Sequence, residues 1–271
     1  VLCNIMDIGG NPPSKRFKGD IEDVLTRAAK ADVQQMVLTG TSLEESRAVL
    51  SICEEYSEQF PAMLFATCGI HPHEASSFNF QSLGGLRELA RHPQMVAIGE
   101  AGLDFNRNLS PGAAQEACFE AQLELAAELQ LPLFLHERDA AKRQTEILKS
   151  YRDEFNEAVI HCFTGDKKTL FGYLDMDLHI GITGWICDER RGVVLQNLAS
   201  NIPLQRLMIE TDAPYLLPRN MQPLPKDRRN EPAFLSYVLT GIAAVRKEPA
   251  QQIAAATSAN AKRFFKLPDP D

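Results

Sequence analysis

Five times along this chain a short apolar run stops at a residue able to bind a metal or move a proton. Met95–Ile98 passes through Gly99 to Glu100, Leu133–Leu135 ends at His136, and Ala158–Ile160 ends at His161. Leu207–Ile209 ends at Glu210 with Asp212 two residues on, and Met63–Ile70 ends at His71-Pro72-His73. A short continuous apolar run reads as a strand covered on both faces, as in a parallel sheet. One carboxylate at such an end is better explained as the start of a solvated loop. Five endings on five strands instead point to a site.

Amphipathic patterns separate the runs. The expected strands are Cys3–Gly9, Gln35–Thr39, Met63–Ile70, Met95 to about Glu100, Pro132–His136, Ala158–His161, Asp177–Ile182 and Leu207–Glu210. Helices are expected from Asp20 to Ala31, from Ser42 to Glu58, over 83–90 and from Ser110-Pro111 to Leu129. Ser42 and Glu45 have capping-box spacing, and Pro111 suits a first helical turn. Further helices are expected after Asp139 and Asp166, then over 188–199, 232–246 and 250–265.

Eight strand–helix units in 271 residues predict an α/β fold, a (β/α)8 TIM barrel, as a single domain over 1–271. An open doubly wound sheet is disfavoured, because Gly9-Gly10 is followed by Asn11-Pro12-Pro13 and not by a glycine-rich phosphate loop. In a barrel the C-terminal strand ends converge, which gathers His71, Glu100, His136, His161 and Asp212 around one mouth. Imidazoles with carboxylates form a plausible set for one divalent cation, or for two sharing Glu100. Ligand type leaves zinc, magnesium and manganese all open.

Composition narrows the partners. The net charge of −8 argues against non-specific adhesion to nucleic acid or anionic membranes, although local cations can reverse the field of a site. Six scattered cysteines without a C-x-x-C pair favour reduced thiols and a cytoplasmic setting, or a nuclear one in a eukaryote. No apolar run approaches the about 18 residues of a membrane span. The chain opens on Val1, so a missing or altered natural start is expected.

Basic residues collect in the loops after the strands: Arg107, Arg138, Arg190, Arg191, Arg219, Lys226, Arg228 and Arg229. Arginine offers a planar fork to phosphate oxygens, and Phe105, Phe163, Trp185 and Tyr215 in the same loops can stack on bases. For a single arginine, ordinary surface pairing explains the position about as well. Together they favour a single-stranded anionic substrate. His92 reads as an exposed helix end, His179 as a core histidine and Asp139 as a helix cap. His73 either touches substrate or shapes the turn after Pro72, and Asp104 either touches a metal or supports its ligands.

Six motifs in order make the chain similar to the TatD family of metal-dependent deoxyribonucleases, within the amidohydrolase-like barrels. They are GIHPH at 69–73, IGEAGLDF at 98–105, LHERD at 135–139, HCFTG at 161–165, IETDAPYL at 209–216 and RNEP at 229–232. The resemblance spans essentially the whole chain. It implies metal-dependent phosphodiester hydrolysis, 3′ to 5′ on single-stranded DNA, with RNA as a further substrate, magnesium expected and manganese or zinc as alternatives. It further implies Glu100, His136 and His161 as ligands, Asp212 as ligand or base, and His71 and Glu210 in support. His73, Arg107, Arg138, Trp185, Arg228 and Arg229 are the expected substrate contacts. One departure stands out. Most of the family carries H-x-H after the first strand, where this chain has Gly9 and Asn11, as in the TatD subgroup proper. One metal position is therefore expected to be weak. Two other functions stay open: hydrolysis of a small ester, amide or aminoacyl–nucleic-acid bond, and a catalytically dead barrel that only binds. Oligomeric state is open, with a monomer admissible.

Overall fold

The computed structural model describes residues 4–269. Its strands are β1 (Ile5–Gly10), β2 (Val33–Leu38), β3 (Leu64–Cys68), β4 (Met95–Asp104), β5 (Leu133–Arg138), β6 (Ala158–Ile160), β7 (His179–Ile182) and β8 (Leu207–Ile209). All neighbours pair in parallel and in chain order. β8 returns to β1 through a bridge between Gly10 and Ala213, with the Asn11 N–H donating to Ala213 O at 2.7 Å. The sheet is a single (β/α)8 barrel, as the strand count predicts.

The helices are α1 (Ile21–Lys30), α2 (Leu43–Glu55), α3 (Phe80–Leu89), α4 (Gly112–Leu129), α5 (Ala141–Ser150), α6 (Lys167–Leu174), α7 (Val193–Leu198), α8 (Leu235–Ala243) and α9 (Ala250–Phe265). Strand side chains divide between two layers. Met6, Ile8, Val37, Phe65, Val96, Phe134, Val159 and Met208 form one buried cluster with Ala261, Phe264 and Phe265 of α9. The other strand faces pack against the surrounding helices in a larger core. Each fully buried Leu, Val or Phe contributes about 1.5–3 kcal/mol, so both layers are needed to hold the rim residues in place.

Several boundaries differ from the sequence reading, each for a local reason. β4 does not end near Glu100 but runs to Asp104, with a register shift against β5 between Ile98 and Ala101. Gly99, at φ 146°, permits the irregularity: a Cβ there would lie 2.1 Å from Phe134 O. Asp139 does not cap α5. It sits at φ 52° and accepts from Asn106 Nδ2, while Glu137 Oε1 accepts from the Ala140 N–H at 2.8 Å. Ser42 Oγ does accept from the Glu45 N–H, but the Glu45 carboxylate bonds Thr41 Oγ1, so the capping box is half formed. Pro111 stands at the N-cap of α4, one residue before its expected position. α3 begins earlier than expected, and the 188–199 helix contracts to α7. Cys3, expected in the first strand, lies outside the described residues.

Three buried glutamines brace the rim. Oε1 of Gln122 accepts from the Ile70 N–H at 2.8 Å, that of Gln115 from Asp104 N–H at 2.8 Å, and that of Gln144 from Leu103 N–H at 3.0 Å. Helices α4 and α5 thus satisfy strand-end amides that water would otherwise reach. This ties the residues around His71 and Asp104 to rigid elements.

Candidate active site

At the C-terminal mouth of the barrel lies a cleft of about 770 Å³, where three imidazoles converge on one carboxylate oxygen. Glu100 Oε1 lies 2.8 Å from His161 Nε2, 2.9 Å from His136 Nδ1 and 3.4 Å from His71 Nε2. Each comes from a different strand end, as the recurring endings require. Burial would raise the Glu100 carboxyl pKa, but His161, His71 and the hydrogen bonds from His136 and His161 hold it well below the usual range.

The partners of each imidazole define its role. His161 lies between two carboxylates, with Nδ1 3.3 Å from Glu210 Oε2. Burial would lower its pKa, yet Glu100 and Glu210 raise it well above that of a free imidazole. Glu210 is fully buried beneath the cleft, and its Oε1 accepts from the Cys162 N–H at 2.5 Å. It therefore contacts His161 from beneath and does not line the cleft. His71 Nδ1 accepts from the His73 N–H at 3.0 Å. In the neutral ring the proton then sits on Nε2, which points at Glu100. Burial pushes the His71 pKa down to about 3, so the ring is neutral.

Asp104 lines the cleft between His73 and His136. Its Oδ2 lies 2.6 Å from His73 Nε2 and 3.7 Å from His136 Nε2. Its Oδ1 accepts from the backbone of Asn106 and Arg107. Against the effect of burial, these contacts hold its carboxyl below the ordinary value. Asp212 lines the cleft at φ 53°. Burial, with the charges of Glu100 and Glu210 adding to it, pushes its carboxyl up to about 7.

These side chains fit a divalent cation. His71, Glu100 and His136 offer ligand atoms within 4.8 Å of one another. His136 Nε2 is buried with no hydrogen-bond partner among the described residues, and Glu100, Asp212 and Glu210 crowd their charges together. A cation relieves both conditions. Of the group His71, Glu100 and His136, the last two are the ligand candidates, because His71, accepting at Nδ1 from the His73 N–H, carries its proton on Nε2 and offers it as a donor.

Of the expected substrate contacts, His73, Arg107 and Arg138 line this cleft, and Trp185 lines an adjoining one. Arg229 is elsewhere. Its guanidinium binds Asp20 and Glu231, donates to Arg16 O at 2.9 Å and covers the Phe17 ring. Arg228 is exposed and does not line the cleft. Phe163 is buried, so it is not available for stacking, whereas Tyr215 is half-exposed at the cleft. His92 is half-buried near Glu54, and His179 is buried in β7. Sequence reasoning missed Thr41, Glu45, Glu74 and Thr164 as lining groups. Their signal is position after a strand, with Thr164 also inside the HCFTG motif.

The sequence profile of the TatD related DNase family matches residues 6–266. A protein of Rahnella sp. named 3′-5′ ssDNA/RNA exonuclease TatD is 49% identical over 263 residues, covering 97% of this chain and 98% of the relative. The protein of that name from Salmonella typhimurium is 47% identical, covering 97% and 99%. The crystal structure of a TatD homologue from Escherichia coli superposes with a TM-score of 0.87 at 29% identity, over 99% of this chain and 100% of the other. The chain belongs to the TatD related DNase family, a family of nucleases.

Proposed function

We propose that this protein removes nucleotides from the 3′ end of single-stranded DNA or RNA by hydrolysing phosphodiester bonds, with a divalent cation held by Glu100, His136, His161 and Asp212. The convergence of three imidazoles on Glu100 Oε1 in a cleft walled by Arg107 and Arg138 carries this reading. The names of the relatives support the substrate and polarity. Magnesium is the favoured ion, with manganese and zinc as alternatives.

When bound, the cation would lower the pKa of a water and polarise a phosphoryl oxygen. The remaining work belongs to the side chains. Arg107 and Arg138 hold the phosphate by charge-assisted hydrogen bonds. His71 donates its Nε2 proton in a hydrogen bond to a phosphoryl oxygen. Asp212, which lines the cleft beside Glu100, takes the proton from the attacking water. Glu210 keeps His161 Nε2 directed at the site, and Asp104 fixes His73. Among the described residues no helix is long and apolar enough to cross a membrane. The five described cysteines are free, which supports a cytoplasmic setting.

The test is digestion of 5′-labelled single-stranded DNA with magnesium, with and without EDTA. Stepwise shortening from the 3′ end that EDTA abolishes is expected. Absence of cleavage with magnesium, manganese and zinc alike would overturn the reading.

A further inference from the structure

The cleft does not end at the metal centre. A second cleft of about 570 Å³ adjoins it and shares Glu137, Arg138 and Thr164. Trp185 forms one wall, held by its Nε1–H donating to Arg191 O at 3.2 Å. Two guanidinium groups lie over its ring, Arg191 at 4.5 Å and Arg138 at 5.9 Å from the centroid. The carboxylates here are already engaged: Glu137 with the Ala140 N–H, Asp139 with Asn106 Nδ2, and Asp166 with the Thr169 N–H. Arg138 has no carboxylate partner among the described residues. Arg191 donates its Nε–H to Asp188 Oδ2 at 2.8 Å, which leaves only its Nη groups to meet a phosphate, whereas Arg138 is stacked on the ring with its whole edge free, an arrangement built to receive phosphate.

The opposite wall has the reverse character. In a ring of eight strands, β2 and β3 face β6 and β7. The segments after β2 and β3, including the first turn of α2, bring Thr41, Glu45 and Glu74 to the first cleft. Asn11, also lining that cleft, has a buried Oδ1 that no donor reaches among the described residues. Beyond His71 and His73, which face Glu100 and Asp104, the carboxylates of Glu45 and Glu74 can accept a hydrogen bond from a hydroxyl and repel a phosphate.

We propose that the retained strand lies across Arg138, Trp185 and Arg191 in the second cleft while the end being trimmed abuts Glu45, Glu74 and Asn11, so that the site selects a terminal 3′-hydroxyl and rejects a terminal 3′-phosphate. This rests on the nuclease reading above and adds its end-group specificity. It also accounts for exonuclease action, since a strand continuing past the scissile bond would carry its phosphates against the two carboxylates.

The experiment compares kcat/KM for removing the last nucleotide from single-stranded decamers ending in 3′-hydroxyl or 3′-phosphate. The wild type is expected to favour the hydroxyl end by about tenfold or more, and Glu45→Gln with Glu74→Gln to narrow that ratio by about fivefold, as removal of like-charge repulsion requires. The ratio is taken within each protein, so partial misfolding cancels. Arg191→Ala is expected to raise KM about threefold or more for the decamer and less for a dinucleotide, because the lost phosphate contact lies away from the cut. A wild-type ratio near unity, an unchanged ratio in the glutamine variant, or equal KM effects of Arg191→Ala on both lengths would overturn the proposal. Cleavage of neither end would overturn the nuclease reading, and this proposal with it.

Discussion

Glu210 fills the space that a side chain at Gly9 would need: a Cβ on Gly9 would lie 2.4 Å from Glu210 Oε2. On the other side, a Cβ on Gly181 would lie 2.7 Å from Glu210 Oε1. Two glycines, on β1 and β7, thus make the slot in which Glu210 reaches His161 and the Cys162 amide. The departure from H-x-H at Gly9 and the inward carboxylate at Glu210 are one structural feature. A side chain at position 9 would push against Glu210 Oε2, so restoring the motif is expected to displace Glu210 and not to tighten the metal site.

Gly9→Ala is therefore expected to destabilise the fold by about 1–3 kcal/mol, the usual cost of overpacking. It should also weaken metal binding by releasing Glu210. The midpoint of chemical denaturation and calorimetric metal titration check both effects. Unchanged stability and affinity would show that Glu210 has room to move.

Glu100→Ala is expected to abolish metal-dependent hydrolysis while preserving the barrel. Loss of the oxygen on which three imidazoles converge removes several kcal/mol of charge stabilisation, or about a thousandfold or more in rate. Glu210→Gln should be milder, with metal affinity falling about 10–100-fold, because it only orients His161. Comparable losses in the two variants, each with wild-type circular dichroism, would refute this ranking.

The barrel and the central residues were legible because strand ends carry chemistry in this fold: Glu100, His136, His161, His71 and Asp212 all reach one cleft, as their positions imply. Two kinds of information were not legible. Partners contributed by distant loops were hidden, so Arg229 looked like a phosphate ligand until Asp20 and Glu231 were seen to hold it. Backbone irregularity was hidden as well. The β4 run continues past Glu100 because Gly99 and Gly102 adopt φ of 146° and 140°, which periodicity does not encode.

The arginines separate by partner. Arg229→Ala is expected to lower stability without flattening the salt dependence of DNA binding, since its charge is spent on Asp20, just before α1, and on Glu231, before α8. Arg107→Ala with Arg138→Ala should weaken binding and reduce the slope of log K against log salt by about 0.7 per lost phosphate contact on a single strand. Fluorescence anisotropy over a salt series distinguishes them. A flattened slope in Arg229→Ala alone would place that residue on the substrate path.

Asp7 gives the pH dependence of stability. It is buried between β1 and β8, with Oδ1 accepting from Gly9 N–H at 3.2 Å and Thr211 N–H at 2.9 Å, and Oδ2 2.5 Å from Thr211 Oγ1. Burial pushes its carboxyl from 3.8 up to about 7, outweighing the hydrogen bonds from Thr211 and Gly9, with Glu210 adding to the rise. The native state then holds a proton that the unfolded chain releases. Stability from this group is present in full below the unfolded pKa and lost as pH rises through the folded one, so it falls between about pH 4 and 7. The limiting slope is about 1.4 kcal/mol per pH unit. Asp212 contributes with the same sign in the metal-free protein. In Asp7→Asn the amide keeps Oδ1 as acceptor and donates Nδ2–H to Thr211 Oγ1, so the fold should persist. The decline in urea midpoint across that pH range, measured with chelator present, is expected to shrink by roughly half in this variant. Identical pH profiles for the two proteins would mean that Asp7 is ionised in the native barrel.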